Sequence, residues 1–191
     1  MRASRLFGMG GGPIGSPMNI KVPGIVTLSF LMALPAAAEP KKPPPAHAAA
    51  AGPKSIGKFD DWTAATHSES GQMVCYAFTR AQISAPALPG RGPVVLTVTE
   101  RLSGRDAVAI EAGFSYAPNA AVTLQVDQAG LEFYTSGRNA FAREGKAAVT
   151  AFGKASRAIA RSPAPKEVTD TFSLKGFGQA YAAISKACPA K

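Results

Sequence analysis

The sequence predicts a mainly β domain, an antiparallel β-sandwich with a short internal helix and a C-terminal helix. Many short segments alternate apolar and polar side chains, as half-buried strands do. Turn-forming residues separate these segments at intervals of roughly 8–12 residues. Only two segments have apolar residues at helical spacing. This combination is typical of a sheet built from successive hairpins.

Four strands are predicted in the first half of the domain, at residues 59–66, 73–79, 93–99 and 107–111. The third is rich in β-branched residues and apolar on both faces, which predicts a position near the centre of the sheet. In the fourth, Val108 and Ile110 share one face.

Four more strands are predicted in the second half, at residues 122–126, 131–135, 156–162 and 167–174. Val122, Leu124 and Val126 alternate with polar residues, and the turn at residues 127–130 joins this strand to the next as a hairpin. Pro163 and Pro165 separate the last two strands.

Two helices complete the prediction, at residues 144–152 and 177–187. In the second, Phe177, Tyr181 and Ile184 fall on one face together with Cys188, and Pro189 follows. This face directs Cys188 toward the core, where Cys75 on a strand can meet it.

Residues 18–38 have the features of an export signal: a short charged start at Met18, an apolar run at residues 25–34, and small residues ending at Ala38. The apolar run is about half of the roughly 18 residues that span a bilayer. We therefore expect cleavage after Ala38, no stable transmembrane anchor, and a periplasmic or secreted protein.

The remaining boundaries follow from composition. Residues 1–17 are interpreted as an upstream extension, and the G-x-G-x-x-G pattern that begins there at Gly10 is attributed to chance because it contains Pro13 and no strand precedes it. Residues 39–56, which include His47, are rich in Pro, Ala and Lys and are predicted to form an extended linker. Residues 57–191 form the single domain.

The chain is basic, with 21 Lys and Arg against 12 Asp and Glu and a net charge of +9. Its cations are scattered and do not alternate with aromatic residues, so we predict no nucleic-acid partner. Attraction to anionic lipid, lipopolysaccharide or host glycans remains open, but the scatter favours a role in solubility.

Cys75 and Cys188 are the only two cysteines. In an oxidising compartment they permit one intramolecular pairing, and we predict a structural disulfide. The sequence has no C-x-x-C motif and no Cys/His cluster, so neither a metal nor another cofactor is predicted.

No catalytic residue is predicted. His67 and Ser68, with Asp60 and Asp61 nearby, contain the residue types of a hydrolase site. Neighbouring side chains of a strand point to opposite faces, however, and the chain has no G-x-S-x-G turn. We interpret Asp60 and Asp61 as solvated loop acids.

Asp170 is in phase with the apolar residues of its strand, so it needs a partner if it is buried. We expect a salt bridge to an arginine, such as Arg157 or Arg161, or a position at the sheet edge. Trp62 and Tyr76 are predicted to be core aromatic residues rather than ligand-stacking ones.

Three segments resemble the invasion-associated locus B family, in its alphaproteobacterial branch: the opening Phe59-x-x-Trp62 with Cys75 on the next strand, residues 108–116 (VAIEAGFSY), and the tail at residues 169–188 (TDTFSLKGF through to the cysteine). The resemblance spans essentially residues 57–188. It implies an immunoglobulin-like β-sandwich, a periplasmic, outer-membrane-associated or secreted location, and a non-enzymatic role. Better-known members carry further cysteines, which this chain lacks near Thr66 and at residues 135–139.

The resulting hypothesis is a non-catalytic exported protein that contacts an envelope or host component, protein or glycan, through a rim of the sandwich. The candidate contact residues are Arg80, Arg91, Arg101 and Arg105. Two alternatives stay open: an envelope enzyme or enzyme-inhibitor module, and a periplasmic stress or scaffolding protein without a specific ligand.

Overall fold

A computed structural model describes residues 52–163 and 167–190. The upstream extension, the export signal with its cleavage site after Ala38, and His47 all lie outside the described residues.

The described residues form eleven strands and two helices. In chain order they are β1 (Lys54–Phe59), β2 (Trp62–Glu69), β3 (Gln72–Arg80), β4 (Ile83–Ala85), β5 (Val95–Arg101), β6 (Gly104–Glu111), β7 (Ala121–Val126), β8 (Ala129–Ser136), β9 (Asn139–Ala142), α1 (Gly145–Phe152), β10 (Arg157–Ser162), β11 (Val168–Ser173) and α2 (Phe177–Ala187).

The strands form one antiparallel sheet in the order β1-β2-β3-β5-β6-β9-β8-β7-β10-β11-β4. Consecutive strands β3 and β4 are nevertheless far apart in this order. The amide of Ala81 donates to the carbonyl of Val94 beside β5, and the next amide, Gln82, donates to Thr171 on β11. The backbone therefore changes its hydrogen-bonding partner strand between Ala81 and Gln82. This is possible because the sheet curls until its β4 edge lies next to β3.

This curled sheet confirms the predicted fold class. It is mainly β and antiparallel, has one internal and one C-terminal helix, and is consistent with a β-sandwich. Apolar residues of both helices and most strands meet in one core. Val122, Leu124 and Val126 are buried as their alternation predicted.

The segment predicted as one strand at residues 59–66 is instead a hairpin junction. Asp60 adopts a positive φ of 48° in the turn between β1 and β2, a conformation that Asp tolerates better than most residues. β1 begins at Lys54, so the end of the predicted linker belongs to the sheet. The short strands β4 and β9 were not predicted from the sequence.

Helix α2 has the predicted bounds and packs its apolar face on the inner side of β2 and β3. The rings of Phe177 and Trp62 meet edge to face with centroids 4.9 Å apart. Cys188, directly after α2, is bonded to Cys75 on β3 as predicted. Neither helix within the described ranges has the length and apolar character required to cross a membrane.

Candidate functional site: an aromatic cleft surface on the sheet

The outer side of β3 carries two aromatic rings that do not belong to the core. Cys75, Ala77 and Thr79 point inward and are buried, whereas the alternating Tyr76 and Phe78 are half-buried on the opposite face. Their rings stack with centroids 6.0 Å apart and an interplanar angle of 27°. The prediction of a core position is therefore confirmed for the fully buried Trp62 and wrong for Tyr76.

Two open clefts, each of about 480 Å³, lie beside this stacked pair. The cleft next to Tyr76, here called the His67 cleft, is lined by Pro53, His67, Ser68, Tyr76, Thr99 and Arg101. The cleft next to Phe78, here called the Asp61 cleft, is lined by Lys58, Asp60, Asp61, Thr63, Phe78 and Arg80. Because both clefts use outward residues of β2 and β3, they lie in series along these strands.

A second aromatic pair lies further across the same face. The backbone register aligns Phe78 with Thr97 on β5, then Ala109 on β6, and finally Phe141 on β9. Tyr134 on β8 is opposite Phe141, and their centroids are 5.5 Å apart. Three strand spacings, about 14 Å, separate β3 from β9. The residues between the two aromatic pairs in this row are the smaller Thr97 and Ala109.

Neither described helix covers this face, because α1 and α2 direct their buried residues into the core. Tyr134 is 46% exposed, and the guanidinium of Arg143 lies over its ring at 5.8 Å from the centroid. Aromatic rings left accessible on the face of a sheet are common at binding surfaces.

The structure does not bring the four candidate arginines together. Arg80 lines the Asp61 cleft, and Arg101 lines the His67 cleft, where its Nε is 2.9 Å from the carboxylate of the exposed Glu69. Arg80 and Arg101 lie at opposite ends of the paired strands β3 and β5, since Arg80 pairs with Val95 at the start of β5. A single arginine rim is therefore a wrong prediction.

Arg91 is not at the surface. Its side chain is only 6% exposed, and both of its terminal nitrogens donate to Asp170, at 2.8 and 2.7 Å. The Nε of Arg91 donates to the carbonyl of Ala112, and Ser84 donates to Asp170 at 2.6 Å. This network satisfies a buried carboxylate.

The expected salt bridge from a buried Asp170 to an arginine is therefore confirmed, but the partner is Arg91 rather than the suggested Arg157 or Arg161. Arg157 and Arg161 alternate with the buried Ala158 and Ala160, so their side chains point away from the core. Arg91 lies in the connection before β5, where no periodicity in the sequence indicates that it turns inward.

Arg105 belongs to a cluster that holds the C-terminal helix rather than to a contact rim. Its Nε is 2.6 Å from the fully buried carboxylate of Glu100, and its guanidinium also donates to the carbonyl of Cys188. Burial raises the pKa of Glu100 above its ordinary value, although Arg105 acts in the opposite direction. The hydroxyl of Tyr181 donates to Asp106 at 2.6 Å, and burial is the main cause that raises the pKa of Tyr181 to about 12.

The residue types of a hydrolase site are not assembled. His67 and Ser68 both line the His67 cleft, and the ring of His67 packs edge-on against Tyr76 with centroids 5.4 Å apart. Asp61 precedes β2 and His67 lies near its other end, a separation of about 20 Å along an extended strand. Within residues 52–163 and 167–190, no three His, Cys, Asp or Glu side chains are grouped as metal ligands would be.

Comparison with known proteins gives no relative for this chain: no protein-family model, no curated protein and no solved structure matches it.

Proposed function

We propose that this is an exported, non-catalytic protein of the invasion-associated locus B type, which acts by binding an envelope or host component. The observation that carries the proposal is the uncovered face with the stacked Tyr76 and Phe78 between two clefts. Aromatic rings of this kind bind apolar ring faces or side chains, while hydroxyl and charged groups at the edges select the partner.

The disulfide between Cys75 and Cys188 supports an extracytoplasmic location, because such bonds persist in oxidising compartments. The export signal predicted at residues 18–38 supports the same location from the sequence alone.

The experiment is crosslinking in intact cells that export the tagged protein, followed by purification under denaturing conditions. We compare the wild type with a Tyr76→Ser/Phe78→Ser variant. The control is Ile83→Ser, which removes an apolar side chain that is 62% exposed on β4. We expect the wild type and the control to recover the same envelope or extracellular partner, and the double variant to lose it. Recovery of no partner by any of the three would favour the scaffolding alternative.

A second function, an envelope hydrolase, is kept because His67 and Ser68 share one cleft. It is tested by screening the wild type and His67→Ala with generic ester, amide and glycoside substrates. Activity that is present in the wild type and lost in the variant would replace the binding proposal.

A further inference from the structure

A buried carboxylate lies beside the disulfide. Glu100 on β5 is paired with Cys75 on β3, and both side chains point into the core and are fully buried. Residues directly opposite each other in an antiparallel pair have Cβ atoms about 4.5–5.5 Å apart, so the carboxylate is a neighbour of Sγ of Cys75. Arg105, which forms the ion pair with Glu100, also donates to the carbonyl of Cys188. The charged pair therefore flanks both ends of the bond.

The two cysteines differ in access from solvent. Cys75 is 0% exposed, whereas Cys188, directly after α2, is 5% exposed, so an external thiolate reaches Sγ of Cys188 more easily. Its attack forms a bond to Sγ of Cys188, breaks the bond to Cys75 and leaves the electron pair on Sγ of Cys75 as a thiolate. A second thiolate then attacks the mixed disulfide and releases Sγ of Cys188. Solvent protonates both cysteines, and the external thiol is oxidised to its disulfide.

We propose that Glu100 protects the disulfide from external thiols, because its negative charge opposes the thiolate that must form on Cys75 in the same buried site. Like charges a few Å apart repel strongly where water is excluded, and a leaving thiol whose pKa is raised leaves more slowly. Arg105 lowers the pKa of Glu100 against the effect of burial, and so favours the charged carboxylate. Because its guanidinium is bound to Glu100 and to the carbonyl of Cys188, Arg105 offsets only part of the repulsion.

Protection of this bond preserves the support of the aromatic face. Helix α2 packs on the inner side of β2 and β3, and the disulfide ties the end of α2 to β3. Tyr76 and Phe78 are on the other side of the same strand. A disulfide that exchanges slowly keeps α2 in place when thiols are present. The inference concerns the inner side of the sheet and needs no partner, so it can fail or succeed independently of the proposed function.

The test measures the rate at which dithiothreitol reduces the native protein at about pH 8, where the reagent forms thiolate. Samples are quenched with acid, alkylated and counted for modified cysteines by mass spectrometry. We expect Glu100→Gln to be reduced about tenfold faster than the wild type, a change in the barrier of about 1.4 kcal/mol. The matched control is Glu69→Gln, which removes an exposed carboxylate near the same end of the sheet and should leave the rate unchanged.

An unchanged rate in Glu100→Gln would overturn the inference. Urea unfolding of the oxidised variants supplies the check on structure: a loss of unfolding free energy large enough to explain the faster reduction would assign it to loosening of the fold, and would also overturn the inference.

Two monothiols of opposite charge test which sulfur is affected. Cysteamine and 3-mercaptopropionate should both reduce Glu100→Gln faster than the wild type by the same factor, because the repulsion acts on the sulfur that leaves. Acceleration confined to the anionic 3-mercaptopropionate would mean that Glu100 repels the incoming reagent instead. The first mixed disulfide trapped with cysteamine should be on Cys188, and its location on Cys75 would contradict the proposed leaving sulfur.

Discussion

Arg91 and Asp170, 79 residues apart in sequence, form a buried bidentate salt bridge with N–O distances of 2.8 and 2.7 Å. The pair joins the connection before β5 to strand β11, and Ser84 on β4 bonds to the same carboxylate. The pair therefore lies at the β11–β4 edge of the sheet, which the curl brings next to β3, and it ties this edge to the connection before β5.

Replacing Arg91 with Ala should destabilise the protein by about 3–5 kcal/mol, because it leaves the fully buried carboxylate of Asp170 without its cation. Urea unfolding of the disulfide-bonded protein at neutral pH measures the loss. The matched control is Arg101→Ala, whose ion pair with Glu69 is solvent-exposed and should contribute at most about 1 kcal/mol. An equal loss of unfolding free energy in the two variants would contradict a structural role for the buried salt bridge.

Removing the disulfide with Cys75→Ser/Cys188→Ser should lower the free energy of unfolding by up to about 4–5 kcal/mol, because the bond closes a loop across a separation of 113 residues. Guanidinium unfolding of the oxidised wild type and the double variant measures the difference. Thiol titration of the denatured wild type without reductant should find no free thiol. Two titratable thiols would disprove the bond and remove the main structural support for an oxidising compartment.

Local patterns predicted much of this fold correctly. Alternation placed Val122, Leu124 and Val126 in the core, and helical spacing placed Phe177 and Ile184 on the buried face of α2. These assignments succeed because the side-chain period of an element depends only on neighbouring residues. The disulfide was predictable because two cysteines allow one pairing.

The errors concern contacts between distant parts of the chain. β4 and β9 are too short for a periodic signal, and their existence depends on pairing with β11 and with β6 and β8. The sequence does not identify which arginine pairs with Asp170, since an arginine in any loop between strands was an equal candidate. The outward orientation of Tyr76 is in principle predictable from the sequence. Its neighbour Cys75 is expected to point toward the core, and adjacent side chains of a strand point to opposite faces.

The stability of this protein should depend on pH through Glu100. Burial raises the pKa of this carboxyl above its ordinary value of 4.5, so the folded state holds the proton more tightly than the unfolded state. The stabilisation from that proton is fully present below about pH 4.5 and is lost as the pH rises through the raised pKa. Arg105, Asp106 and Tyr181 are the charged or titratable groups that influence this site.

We therefore expect the stability difference between the wild type and Glu100→Gln to move in favour of the variant as the pH rises from about 4.5 to 8. Glutamine keeps an acceptor for the amide of Asp106 but carries no buried charge. Thermal unfolding across this range gives the difference at each pH. Glu69→Gln, an exposed carboxylate on β2, should show little change, and a pH-independent difference for Glu100→Gln would refute the assignment.

Two glycines separated by one residue should respond in opposite directions to replacement by alanine. Gly176 precedes α2 with a φ of 85°, and a Cβ there would collide with the backbone carbonyl of Phe59 at the end of β1. Gly176→Ala should therefore cost more than about 1 kcal/mol, since both the backbone conformation and the close approach of α2 to β1 exclude a side chain. Gly178, inside α2, has open space at its Cβ position, so Gly178→Ala should stabilise the helix by about 0.5–1 kcal/mol. Urea unfolding gives the free energy of unfolding of both variants. The comparison distinguishes a steric clash at Gly176 from a general sensitivity of α2 to substitution. If Gly178→Ala destabilised the protein as much as Gly176→Ala, any substitution in this part of α2 would be harmful. The close contact between Gly176 and Phe59 would then not be the cause of the loss.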